Sequence, residues 1–203
     1  QVQTREGVVY QIDTRLRPSG RAGSLVSSVR AFERYHRLQA QLWERQALIK
    51  ARAAVGDRRL IEQVNDLFEH FVYAEAIGAA GVAEIQRVRG RMEHELARET
   101  GQRFNIKTGR GGIVDVEFLV QMLQLRYGQR FAALRQRNTL AALDALIACG
   151  ILSAAESQVL TQGYQFLRRL ENRLRIERDQ PVEALESDVE QLTALARRMG
   201  DDG

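Results

Sequence analysis

Hydrophobic and polar residues alternate near the start of the chain, in "VVYQIDTRLR" (8–17). Val8, Tyr10, Ile12 and Leu16 fall on one side, and Asp13, Arg15 and Arg17 on the other, the period-two pattern of a half-buried strand. "RPSGRAGS" (17–24) follows as a turn or loop, with Pro18, Gly20 and Gly23 as breakers. Beyond it the spacing becomes that of helices. One helical stretch runs from a cap at Ser27 or Ser28 to Gly56, with a bend near His36 to Leu38; others are expected over roughly 58–74 and 81–98. "GQRFNIKTGRGG" (101–112) is an irregular connector with a short extended piece at Phe104 to Lys107. The apolar helix "IVDVEFLVQMLQLRY" comes next, then helices over about 138–148, 154–178 and 187–199. The last opens with Ser187-x-x-Glu190, a capping-box pattern.

The pattern predicts a mainly α chain, a helical bundle preceded by one terminal strand. A lone strand is not stable, so its sheet is expected in residues upstream of Gln1. The opening without methionine reads the same way, as a piece of something larger.

Composition narrows the class. The chain has 203 residues, 44% hydrophobic and 28% charged, ordinary for a globular protein with a proper core. The lone Cys149 lies in an apolar stretch, so neither an intrachain disulfide nor a cysteine metal site is expected, which fits a reducing cytoplasm. No apolar run approaches the ~20 residues of a membrane span, and no signal-peptide pattern opens the chain. The net charge of +4 is dispersed, and acids interleave the basic run "RRLENRLRIER" (168–178), so no nucleic-acid partner is expected. Of 30 basic residues only Lys50 and Lys107 are lysine.

Three stretches could carry chemistry. At period two, Asp13, Arg15 and Arg17 project from one strand face at intervals of about 6–7 Å. A carboxylate suits a hard divalent cation and guanidinium groups suit phosphate oxygens, while a salt-bridged edge strand explains the same residues without function. In "LWERQALIKARAAVGD" (42–57) a helix apolar on most sides is interrupted by Glu44, Arg45, Lys50 and Arg52. Buried charges need partners, so these either pair internally around Trp43 or face a cleft, with Trp43 as wall and Lys50 reaching a phosphate. In "NIKTGRGGIVDVEFLVQ" (105–121), Gly109, Gly111 and Gly112 before a helix resemble an anion-cradling turn, though most such loops are only tight turns. Lys107, Asp115 and Glu117 border it as cleft or structural residues. Gln121 and Gln124 continue Glu117 as a polar stripe, read as a structural seam. His36, His70 and His94 lack the spacing of metal ligands.

Three motifs resemble those of one family: "QIDTRLRPSGRAGSLVSSVRAFERY", "WERQALIKARAAVGD" and "NIKTGRGGIVDVEFLVQ", in the family's order from about residue 8 to 175. The chain is similar to the glutamate–ammonia-ligase adenylyltransferases, bifunctional regulators that add AMP to glutamine synthetase and remove it. "RLRPSG" and "GGIVDVEF" look more like the C-terminal, adenylylating half than the deadenylylating one. The uridylyltransferase of the PII signal protein is the nearest rival and shares the helical domain type.

The resemblance implies that residues 1–24 are the trailing edge of a truncated nucleotidyltransferase α/β domain and 25–203 its helical domain. It implies ATP as substrate, Mg²⁺ as cofactor, and glutamine synthetase and the PII protein as partners. Asp13 matches the third metal-binding carboxylate of that superfamily, with Arg15, Arg17 and Lys50 toward the triphosphate. The Gly-Ser…Asp-x-Asp motif that carries the other two carboxylates does not occur here, so this chain alone is expected to be inactive. A helical module that docks glutamine synthetase or PII is the alternative.

Overall fold

The computed structural model describes residues 3–4, 7–8, 12–178 and 183–200. They are mainly helical, in two compact units, Gln1–Ala74 and Glu75–Gly203.

The first unit opens with a two-residue antiparallel ladder, β1 (Gln3–Thr4) against β2 (Gly7–Val8). The alternating pattern predicts a strand over 8–17, but residues 12–17 form no ladder, while 9–11 lie outside the described residues. The physical reason is local: the polar groups there bond along the chain. Asp13 accepts from the Arg15 backbone N–H at 2.9 Å, and Arg17 Nη1 donates to the Thr14 carbonyl at 2.6 Å.

Helix α1 (Val29–Leu38) is capped by Ser28, whose hydroxyl accepts from Ala31 N–H. The expected bend is a full break. The chain leaves α1 at Gln39 and restarts as α2 (Leu42–Leu48), where Glu44 reaches back to the Gln41 N–H at 2.8 Å. After Leu48 the next amides bond three residues back, Ile49 to Gln46, Lys50 to Ala47 and Ala51 to Leu48. That tighter winding ends the helix before Gly56. Helix α3 (Arg58–Tyr73), capped by Asp57, packs on α1 and α2. Phe32 meets Phe68 and Phe71 edge-on, at 5.7 and 6.5 Å between centroids. Ile49, Val72 and Tyr73 are buried beside them in this unit.

The second unit starts with α4 (Ala79–Met92), which ends in a π-type turn, Glu93–Ala97. Strand β3 (Arg103–Asn105) pairs antiparallel with β4 (Ala184–Glu186). Between them lie α5 (Ile113–Tyr127), α6 (Thr139–Ala148) and α7 (Ala154–Arg178), with α8 (Val189–Met199) after β4. Ile113, Val116, Val120, Leu134, Leu143 and Leu146 form the main core, and Ile106, Leu170, Leu174 and Leu195 a second cluster. Alpha8 is capped by Asp188, which accepts from Gln191 N–H at 2.8 Å, and not by Ser187. Ser187 is committed elsewhere, its N–H donating to the Gln102 carbonyl at the end of the ladder. Among the described residues no helix is long and apolar enough to cross a membrane.

Candidate functional site

In the first unit the loop after residue 12 presents a compact group of charges. Arg15 grips Asp13 with its side chain as well as its backbone: Nε lies 2.9 Å from both carboxylate oxygens and Nη2 2.6 Å from Oδ2. That hydrogen-bonded guanidinium holds the Asp13 carboxyl at a pKa of about 2, although both side chains are more than half exposed. Asp13 is therefore ionised at any physiological pH.

Arg17 is placed differently. Its guanidinium donates to the carbonyls of Thr14, Gly23 and Arg21, at 2.6, 3.1 and 3.4 Å, and so ties the turn closed. The turn needs Ser19 and Gly20 in the left-handed region, at φ 60° and 54°. It also needs Gly23, where a Cβ would collide with the Pro18 carbonyl.

The α2 residues separate by role. Glu44 is buried and accepts from the Tyr35 hydroxyl at 2.7 Å as well as from Gln41 N–H. That bond to a carboxylate pushes the Tyr35 phenol up. Arg45 crosses to α3 and donates twice to the Val72 carbonyl, at 3.0 and 2.7 Å. Lys50 and Arg52 lie beyond the end of α2 and are exposed, so Lys50 does not share a helix face with Trp43. Trp43 is 42% exposed and lines a small open cavity with Leu16, Arg17, Phe32, His36 and Glu44. The core tryptophan allowed for by the sequence is thus a cavity wall.

His36 completes that wall, its ring tilted against Phe32 at 4.2 Å and Phe71 at 5.4 Å between centroids. Burial pushes its pKa down. The sequence excludes it as a metal ligand and leaves it a surface or interhelical residue, and it does pack between α1 and α3. The signal that would have found it is the density of rings at helical spacing, Phe32, Tyr35 and His36 on α1 with Phe68 and Phe71 on α3.

In the second unit the glycine loop spends its backbone on itself. Asn105 Oδ1 accepts from Lys107 and Thr108 N–H, at 3.0 and 2.8 Å. Glu99 accepts from Asn105 and Arg110, Asp115 from Gly111, and the amides of 109 and 112–115 go to loop carbonyls. Every amide from Lys107 to Asp115 has a partner inside the protein, so this helix start offers an anion no N–H group. Asp115 plays the anion itself. Arg89 locks the arrangement from α4, donating to Asp115 Oδ1 and to the Gly109 carbonyl, the latter at 2.8 Å. Lys107 pairs with Glu183 at 2.7 Å. Glu117 accepts from Tyr164 at 2.9 Å, and Gln124 donates to the Leu134 and Gln136 carbonyls, at 2.6 and 2.7 Å.

Asp13 has the chemistry of a hard-cation ligand, ionised and exposed. Among the described residues, however, no three His, Cys, Asp or Glu side chains group to hold a metal ion. The residues present fit Mg²⁺ as one ligand and no more.

Comparison with known proteins follows the same division. The family model described as glutamate-ammonia ligase adenylyltransferase matches residues 1–67, and that described as GlnD PII-uridylyltransferase matches 82–203. Curated relatives named bifunctional glutamine synthetase adenylyltransferase/adenylyl-removing enzyme match nearly the whole chain. Those of Hahella chejuensis and Pseudomonas aeruginosa are 39% and 37% identical over 97% of it. Over residues 82–203, more than half of its length, the chain belongs to the family described as GlnD PII-uridylyltransferase, and over nearly all of its length it is similar to the adenylyltransferases. It spans about one fifth of the length of these relatives, 20% in both. The relative from Stenotrophomonas maltophilia, 38% identical over 97% of the chain, is covered to 21%. Within the adenylyltransferase family match fall both Asp13 and the Trp43 cavity; the glycine loop and its Arg89 clasp lie in the part shared with the uridylyltransferase model.

Proposed function

We propose that this chain is part of the half of a bifunctional enzyme that transfers AMP from ATP to a tyrosine of glutamine synthetase, in the cytoplasm. The observation that carries the reading is Asp13: an exposed carboxylate, kept ionised by Arg15, at the start of a loop clamped by Arg17. The relatives' shared name supports it.

Asp13 would supply one carboxylate to Mg²⁺, which when bound neutralises phosphate charge. Arg15, on the solvent side, meets the triphosphate. Arg17 holds the turn, and Lys50, at the end of α2, is a further cation for the phosphates. With one metal-binding carboxylate the chain by itself is inactive.

The test is an enzyme of the relatives' full length that contains this chain, with and without Asp13→Asn. Labelled AMP should pass from ATP to glutamine synthetase with added Mg²⁺, and the folded Asp13→Asn variant should lose that transfer by a hundred-fold or more, on the order expected for removing a charged catalytic group. Transfer at the parent rate removes Asp13 from the mechanism. Release of AMP from modified glutamine synthetase, with none added, assigns the chain to the deadenylylating half.

A second reading rests on α7, which leaves Val159 and Ile176 72% and 76% exposed and Phe166 partly so. Such a face suits docking of glutamine synthetase or the PII protein. Substitutions there would weaken partner binding while leaving chemistry on a small acceptor intact.

A further inference from the structure

The Trp43 cavity has a lining that phosphate chemistry does not explain. It holds about 50 Å³ and is open to solvent; Leu16 and Arg17 come from the clamped loop, Phe32 and His36 from α1, Trp43 and Glu44 from α2. Three rings in one small concavity, one of them a half-exposed tryptophan, are costly to leave in water. An apolar lining with few convergent polar groups is the usual make-up of a small-molecule site.

We propose that this cavity seats the base of the nucleotide, a planar nitrogen heterocycle carrying an exocyclic amino group, with Trp43 and His36 as its stacking wall. The inference rests on the nucleotide reading above and deepens it. Stacking on an aromatic wall is tolerant of the base's identity because every base has a π-face. Selection therefore falls to the polar groups. Glu44 is acceptor-only, and each of its oxygens is engaged by one donor, Tyr35 or Gln41, so lone pairs remain. An amino group on the base satisfies one of them, whereas a keto oxygen at that edge meets a carboxylate and is repelled. Adenine, cytosine and guanine each carry such a group and are accepted on this ground; uracil, which carries none, is not. The cavity is too small to enclose a purine, so the ring lies against the wall with one face in water. Arg17 lines the cavity and also clamps the loop that carries Asp13 and Arg15, so a base seated here lies on the same loop as the charges.

Trp43 is the chain's single tryptophan, so its fluorescence reports the cavity directly. Adenosine, cytidine and guanosine should quench it at millimolar concentration, and uridine should not. Trp43→Leu, an exposed position whose folding is checked by thermal melting, should weaken adenosine binding by about ten-fold in calorimetry. Inorganic tripolyphosphate, measured separately, probes the Arg15 end. If tripolyphosphate binds but adenosine neither binds nor quenches, the base seat is overturned and the nucleotide reading stands. Equal quenching by all four nucleosides overturns the selection by Glu44. If neither adenosine nor tripolyphosphate binds, the nucleotide reading falls and this inference with it.

Discussion

Two aspartate–arginine pairs in this chain have the same chemistry and opposite surroundings. Asp13–Arg15 is made by neighbours two residues apart, more than half exposed on both sides. Asp115–Arg89 joins two helices across 26 residues, and the arginine side chain is 90% buried. In water an ion pair gives up little when it exchanges partners, because solvent screens it. In the interior the same exchange leaves a charge without compensation. The first pair can therefore open to receive a ligand, and the second can only hold the fold.

The sharpest way to break that contrast is to remove the buried arginine. Arg89→Ala leaves Asp115 and the Gly109 carbonyl facing a void, with the glycine loop's closure lost. We expect a loss of about 3 kcal/mol in urea unfolding. Asp13→Asn, by contrast, should leave the unfolding midpoint unchanged while the full-length enzyme proposed above loses AMP transfer. If Arg89→Ala unfolds at the parent midpoint, the loop is held by its backbone bonds alone and the comparison fails.

The contrast also marks what a sequence can show. Helix periods were legible, and so were Ser28 and the glycines at 111–112, which stand at or beside helix starts, whereas the cap read at Ser187 falls to Asp188. So was the polar stripe of Glu117 and Gln124, because a helix places them on one side. The fate of a charge was not legible, since it depends on partners far along the chain. Nothing local marks Arg89 as the residue that neutralises Asp115. Nor does spacing show that the amides of 107–115 are already taken, which turns an anion-cradle pattern into a closed loop. The strand expected over 8–17, with its sheet upstream of Gln1, forms no ladder over 12–17: alternation records which side a residue faces but not whether a neighbouring strand is there to pair with it.

A smaller effect sharpens the picture of the first unit. His36 is half-buried among Phe32, Tyr35 and Phe71, and burial lowers its pKa from 6.5, with the nearby Glu44 charge opposing in part. The unfolded chain then binds the proton more readily than the folded one. Stability is intact above pH 6.5 and falls as the pH drops below it. The thermal midpoint of the first unit should decline between pH 7 and pH 5, and His36→Phe should flatten that slope. A slope unchanged in the variant assigns the acid sensitivity to other groups.

The smallest expected effect tests whether the exposed pair is a pair at all. The hydrogen bonds from Arg15, side chain first and backbone second, account for the depression of the Asp13 pKa from 3.8 to about 2. Arg15→Gln removes the guanidinium and keeps the Arg15 backbone N–H in place. The Asp13 carboxyl resonance should then titrate nearer 3.8 in a carboxyl-detected NMR experiment. Because Asp13 is depressed, the folded form of the loop is favoured above pH 3.8 and loses that preference only as the pH falls toward 2. The pair thus lowers the Asp13 pKa without fixing the carboxylate to the fold, the condition under which a surface carboxylate can be handed to a cation. An Asp13 titration that does not move in Arg15→Gln would show that the loop backbone, rather than Arg15, sets the charge, and Arg15 would then stand in the same structural class as Arg17.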